Sequence, residues 1–78
     1  MINVISVEPM ADGWAVRHPK VGNPQLFLSG ARAEETAINL GSRLAEAGQT
    51  TEVVIYLRGG LVGGRFICKA DGGRVAAV

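Results

Sequence analysis

"ARAEETAINLGSRLAEA" (31–47) is the stretch on which the fold turns. Its apolar residues Ala33, Ala37, Leu40, Leu44 and Ala47 follow one another at steps of four, three, four and three. That is the period of a helix with one apolar stripe. Ala37, Gly41 and Ala45 are small enough to let such a helix lie close on a sheet. Glu34 and Glu35 are expected in its first turns, where the macrodipole favours anions, and Gly48 at a left-handed C-terminal cap.

On both sides of this segment the period falls to two. Downstream, after "QTT", comes "EVVIYL" (52–57), the strongest strand pattern in the chain. Val53, Ile55 and Leu57 alternate with Val54 and Tyr56, so both faces of this strand are apolar. "RGGLVGGRFICK" (58–69) then offers two Gly-Gly pairs for a hairpin turn. Gly59-Gly60 is the favoured turn, with Gly63-Gly64 as a bulge or bend in the returning strand; the reverse assignment stays open. The tail "ADGGRVAAV" (70–78) opens with a turn signal, and whether its last five residues join the sheet is left undecided.

Upstream, "INVISV" (2–7) is β-branched and runs into "EPMADG", which carries Pro9 and an Asp12-Gly13 pair suited to a tight hairpin turn. "GWAVRH" (13–18) places Trp14, Val16 and His18 on one face and Ala15 and Arg17 on the other. "QLFLS" (25–29) reads as a third strand. The order β-β-β-α-β-β implies an α+β domain over 1–78. We expect an antiparallel sheet of about five strands with one helix packed on one face.

Seventy-eight residues make one domain, with no room for a separate catalytic one. Apolar residues are 47% and charged residues 19%, which suits a globular chain and excludes a disordered segment. The single cysteine, Cys68, excludes an internal disulfide and fits a reducing, cytoplasmic setting. The N-terminal segment lacks a cationic start and is broken by Glu8, Pro9 and Asp12, so neither a signal peptide nor a membrane span is expected. Net charge is +1, but residues 53–78 carry Arg58, Arg65, Lys69 and Arg74 against Asp71.

"DGWAVRH", an apolar strand, "ETAINLGSRLAEAG" and "EVVIYLRGG" in that order resemble a family of small bacterial proteins, domain of unknown function 2188. The likeness covers about residues 3–62, and 63–78 looks like an extension of strand and tail. The chain departs from the family pattern in three places. Ala33 stands where a Ser or Thr usually caps the helix, Thr36 replaces Glu before Ala37, and Gly59-Gly60 replaces a closing Asp-Gly. The resemblance implies the fold and brings no activity.

Catalysis needs a base or nucleophile with partners in reach, and here there is one histidine, one cysteine and seven scattered carboxylates. No metal-ligand spacing occurs, and no cofactor is implied. His18 reads as a solvent-facing turn residue and Cys68, in phase with Phe66, as a buried thiol. "RGG" and "GGR" resemble RNA-binding boxes, but those act as repeats in disordered segments, whereas hairpin geometry explains the glycines here. "GGLVGG" has no Lys-Ser/Thr after it and so makes no phosphate loop.

Trp14 is expected in the core, with Gly13 in the turn before it; the minority reading keeps Trp14, Arg17 and Lys20 together as a stacking platform for single strands. A non-enzymatic protein-interaction module follows, one that forms a homodimer through Val54, Tyr56 and Ile5 or through an exposed edge strand. The alternative is weak, sequence-independent nucleic-acid binding through Arg58, Arg65, Lys69 and Arg74, with Arg17 and Lys20.

Overall fold

A computed structural model describes residues 2–18 and 20–70 and the backbone of 74–76. The β-branched segment at the start forms β1 (Asn3–Met10), which turns back into β2 (Gly13–Arg17), and Gln25–Phe27 forms β3. The helix α1 spans Gly30–Glu46, followed by β4 (Thr51–Tyr56), β5 (Val62–Cys68) and β6 (Arg74–Ala76). The six strands form one sheet in the order β3-β2-β1-β4-β5-β6.

The α+β class with one helix on one face holds, but the sheet is mixed rather than antiparallel. β1 and β4 run parallel, with Ile5 opposite Val53 and Val7 opposite Ile55; all other pairs are antiparallel. The cause is the length of the helix. Seventeen residues at about 1.5 Å each carry the chain back along the sheet. The next strand then starts from the end where β3 started and runs the same way. The expected strand count rises by one because the backbone of 74–76 pairs with β5. Residues 71–73 and 77–78 of the tail lie outside the described residues.

The helix begins earlier than its apolar stripe suggests. Ser29 is the N-cap, its hydroxyl accepting from the Arg32 amide at 3.4 Å, so the capping residue is Ser29 and Ala33 is a core residue. Glu34 and Glu35 consequently fall beyond the first turn, which holds no acidic residue. The C-terminus closes as expected around Gly48, at φ +90. The Gly48 amide donates to the Ala45 carbonyl at 2.9 Å and the Gln49 amide to Leu44 at 2.8 Å, the paired bonds of a Schellman motif.

Ala33, Ala37, Gly41 and Ala45 form the buried line of α1. A chain of small residues lets the helix sit low on the sheet, and Leu40 and Leu44 pack on its flanks instead of under it. Ala47, expected on the stripe, is the exposed C-cap. Beneath the helix lie Ile5, Val7, Val16 and Val53, fringed by Trp14, Phe27, Ile55 and Phe66. A side chain at Gly41 would stand 3.1 Å from Val53 Cγ2 and 3.2 Å from Cys68 Sγ, which measures how close this contact is.

The first hairpin differs in detail from expectation, and the second follows the favoured turn. The β1–β2 loop is Ala11–Asp12, with Gly13 already paired to Met10. Gly13 has φ +154, and a side chain there would run into the Phe27 carbonyl oxygen. The β4–β5 loop is Arg58–Gly60, closed by the Leu57 amide on the Leu61 carbonyl at 2.7 Å, with Gly59 and Gly60 both at positive φ. Gly59-Gly60 is therefore in the turn, and Gly63 is the bulge: Ile55 pairs with Gly64 and Tyr56 with Val62.

Candidate interaction surfaces

The strand registers sort side chains onto two faces. With Ile5, Val7, Val16 and Val53 under the helix, the opposite face is lined by Val4, Ser6 and Glu8 of β1 and by Ala15 and Arg17 of β2. Leu26 extends it at one side, and Glu52, Val54, Tyr56, Arg65 and Ile67 at the other. No described element covers this face. Val4 is 44% exposed, Val62 43% and Leu26 68%. A shallow groove of about 650 Å³ runs over it, lined by Val4, Ser6, Glu8 and Tyr56.

Of the three residues expected at a dimer surface, Tyr56 and Val54 lie on this open face. Val54 is nevertheless only 3% exposed, flanked in register by Ser6 and Arg65. Ile5 is a correction: it is fully buried under α1, because β1 turns its odd-numbered side chains toward the helix. Val4 is the β1 residue available on the open face.

The cations are spread over separate places. Arg17 Nε lies 3.2 Å from Glu8 Oε2, an ion pair on the open face whose partners are 49% and 35% exposed. Such pairs contribute roughly 0–1 kcal/mol. Ser6 Oγ donates to the same Glu8 oxygen at 2.7 Å. Lys20 Nζ donates to Gln49 Oε1 at 3.4 Å. Arg65 and Lys69 are exposed on β5 and just after it, while the Arg74 side chain lies outside the described residues. Arg58 occupies the β4–β5 loop, where its Nη1 donates to the Met10 carbonyl at 3.1 Å. Its guanidinium stands 5.9 Å from the Trp14 ring centroid.

Trp14 packs at the edge of the core, and a side chain at Gly30 would reach its indole at 2.9 Å. It is thus held between the helix start and Arg58, away from Arg17, which faces the other way along β2. The sequence pattern contained no signal for the Arg58–Trp14 contact, since the two residues are neighbours only through the parallel β1–β4 pairing.

His18 Nδ1 accepts from the Lys20 amide at 2.9 Å, a local turn bond. Cys68 is 1% exposed and in phase with Phe66 on the helix side. No contact links the two. Among the described residues no group of three His, Cys, Asp or Glu side chains is placed to hold a metal, and no helix is long and apolar enough to cross a membrane.

A second concavity lies at the end of the sheet where the β1–β2 loop meets the exit of β3. It measures about 440 Å³ and is lined by Met10, Asp12, Gly13, Trp14, Leu26 and Leu28, together with Ala11 and Phe27. Leu28, at 92% exposure, is the most exposed large apolar residue described. Asp12 is the one ionisable residue of the lining. Comparison of the chain with protein-family models, with curated proteins and with solved structures finds no match.

Proposed function

We propose that this chain is a small non-enzymatic interaction module that self-associates by burying the open face of its sheet against a second copy. The observation that carries the reading is a sheet covered by a helix on one side only, with Val4, Tyr56, Val62 and Ile67 on the other. A sheet face left to water is usually polar, and here those four apolar residues stand among the polar Ser6, Glu8, Arg17, Glu52 and Arg65. Its charges are also balanced, Glu8 and Glu52 against Arg17 and Arg65, so a second copy meets complementary groups.

The test is sedimentation equilibrium of the intact chain and of Tyr56→Glu. A dimer for the first and a monomer of unchanged circular dichroism for the second is the expected result. A monomer at high micromolar concentration of the unaltered chain overturns the reading. The likeness to domain of unknown function 2188 supports the fold and leaves this role open. A reducing, cytoplasmic setting suits a lone buried Cys68.

Weak nucleic-acid binding is the second reading, favoured by Arg65 and Lys69, which are exposed and have no ionic partner among the described residues. It requires fluorescence anisotropy with labelled oligonucleotides to rise at low salt and fall steeply as salt increases, since phosphate contacts act through counterion release. A flat signal at high micromolar protein removes it.

A further inference from the structure

β3 closes one edge of the sheet. The Phe27 carbonyl oxygen points back to β2, where it crowds Gly13. Backbone groups alternate sides along a strand, so the amide and carbonyl of Leu26 point to the outer edge. No loop or side chain among the described residues takes them. Residues 21–28, "VGNPQLFL", hold no charge, so this edge is guarded only by the shortness of β3 and by Pro24 before it. Leu26 is 68% and Leu28 92% exposed, and both border the 440 Å³ cleft. Unpaired backbone beside a cleft that accepts a side chain is the arrangement by which sheets take up an added strand.

We infer that the β3 edge and its cleft accept an extended segment of another protein, paired to Leu26 through backbone hydrogen bonds, with an apolar side chain in the cleft and a basic residue facing Asp12. Charge selects the basic residue: Asp12 is the single ionisable group in the lining and makes no ion pair among the described residues. The site lies at the β3 end of the sheet and does not depend on self-association through the centre of the open face.

The probe is a capped pentapeptide, lysine-valine-leucine-valine-lysine, titrated into the 15N-labelled intact chain and into Tyr56→Glu. Saturable shifts at Gly13, Leu26 and Leu28 are expected in both proteins. N-methylating the peptide's amides one at a time should weaken binding at the one amide that donates to the Leu26 carbonyl, by about tenfold, the equivalent of ~1.4 kcal/mol. Replacing both lysines by glutamate should weaken it too, and so should Leu28→Lys, whose side chain makes no core contact. The inference is overturned by no saturation at millimolar peptide, by shifts confined to Val4 and Tyr56, or by methylation effects spread evenly over the peptide. Failure of the open-face dimer alone would leave these shifts in place.

Discussion

Gly41→Ala sets helix propensity against packing, and the distances decide the sign. In an exposed helix the change stabilises by about 0.8–1.0 kcal/mol, and a buried methyl adds about 0.8 kcal/mol. Here the new Cβ would stand 3.1 Å from Val53 Cγ2, 3.2 Å from Cys68 Sγ and 3.7 Å from Thr51 Cγ2. All three neighbours are at 0–1% exposure and rooted in the sheet, so none can swing aside. Relief requires the helix to rise by roughly 0.5–1 Å. Over that gap, packed atoms lose a quarter to a half of their attraction, and the loss runs along Ala33, Ala37 and Ala45 as well. Overpacking of this kind costs about 1–3 kcal/mol, and with the strain spread along four helical turns the upper end applies. The net is a loss of about 1 kcal/mol, read as a urea midpoint lowered by roughly 0.5–1 M at fixed protein concentration. Cys68→Ala removes the Sγ contact, so in the Gly41→Ala background it should cost about 1 kcal/mol less than it does alone. A Gly41→Ala chain as stable as the parent, with no coupling to Cys68, would refute the close approach of helix and sheet.

Gly13→Ala should destabilise by about 3 kcal/mol or prevent folding, because the backbone is at φ +154 and the side chain meets the Phe27 carbonyl; an unchanged melting curve would contradict this. Ser29→Ala removes the N-cap of α1 and should cost about 0.5–1 kcal/mol, the low end for a cap because the bond is long and exposed; equal urea midpoints would place the helix start elsewhere. Arg58→Ala removes the bond to Met10 and the cation over Trp14, so a loss of about 1–2 kcal/mol with a shifted Trp14 emission maximum is expected. Unshifted emission would show that the guanidinium does not sit over the ring in solution.

The helix was legible because Ala33, Ala37, Leu40 and Leu44 follow at steps of four, three and four, which share one face of a helix and fall on both faces of a strand. Its start lies one residue before the Ala31 that the pattern marks, while the cap, Ser29, reads in the sequence as the end of a strand. The parallel β1–β4 pair was missed for a topological reason. A strand, a long helix and a strand joined by short loops make a crossover, and the expectation of hairpins elsewhere was carried over to this connection. The pattern of β4 contained the answer. Both of its faces are apolar because it lies between β1 and β5 near the middle of the sheet. Strand alternation separates Ile5 from Val4 but leaves open which of the two faces the helix takes. The Arg58–Trp14 contact depends on the crossover and had no local trace.

Central placement also changes what the apolar open face demands. Val54 looked, from alternation alone, like a residue in need of a partner. It is already 97% covered in the single chain, because Ser6 and Arg65 stand beside it in the same row; Ala15, between Glu8 and Leu26, is fully covered in the same way. At about 25 cal/mol per Å² of apolar area removed from water, residues with no exposed area left contribute nothing further to association. The drive to self-associate therefore comes from the residues that still expose area around them: Val4, Val62, Leu26 and the ring of Tyr56. These surround a polar centre in which Arg17 and Ser6 both contact Glu8 Oε2. Burying this face leaves the Glu8–Arg17 pair neutralised, while Glu52 and Arg65 must find their partners across the interface. Because its ring still exposes area, Tyr56, and not Val54, is the residue through which the open face should be tested.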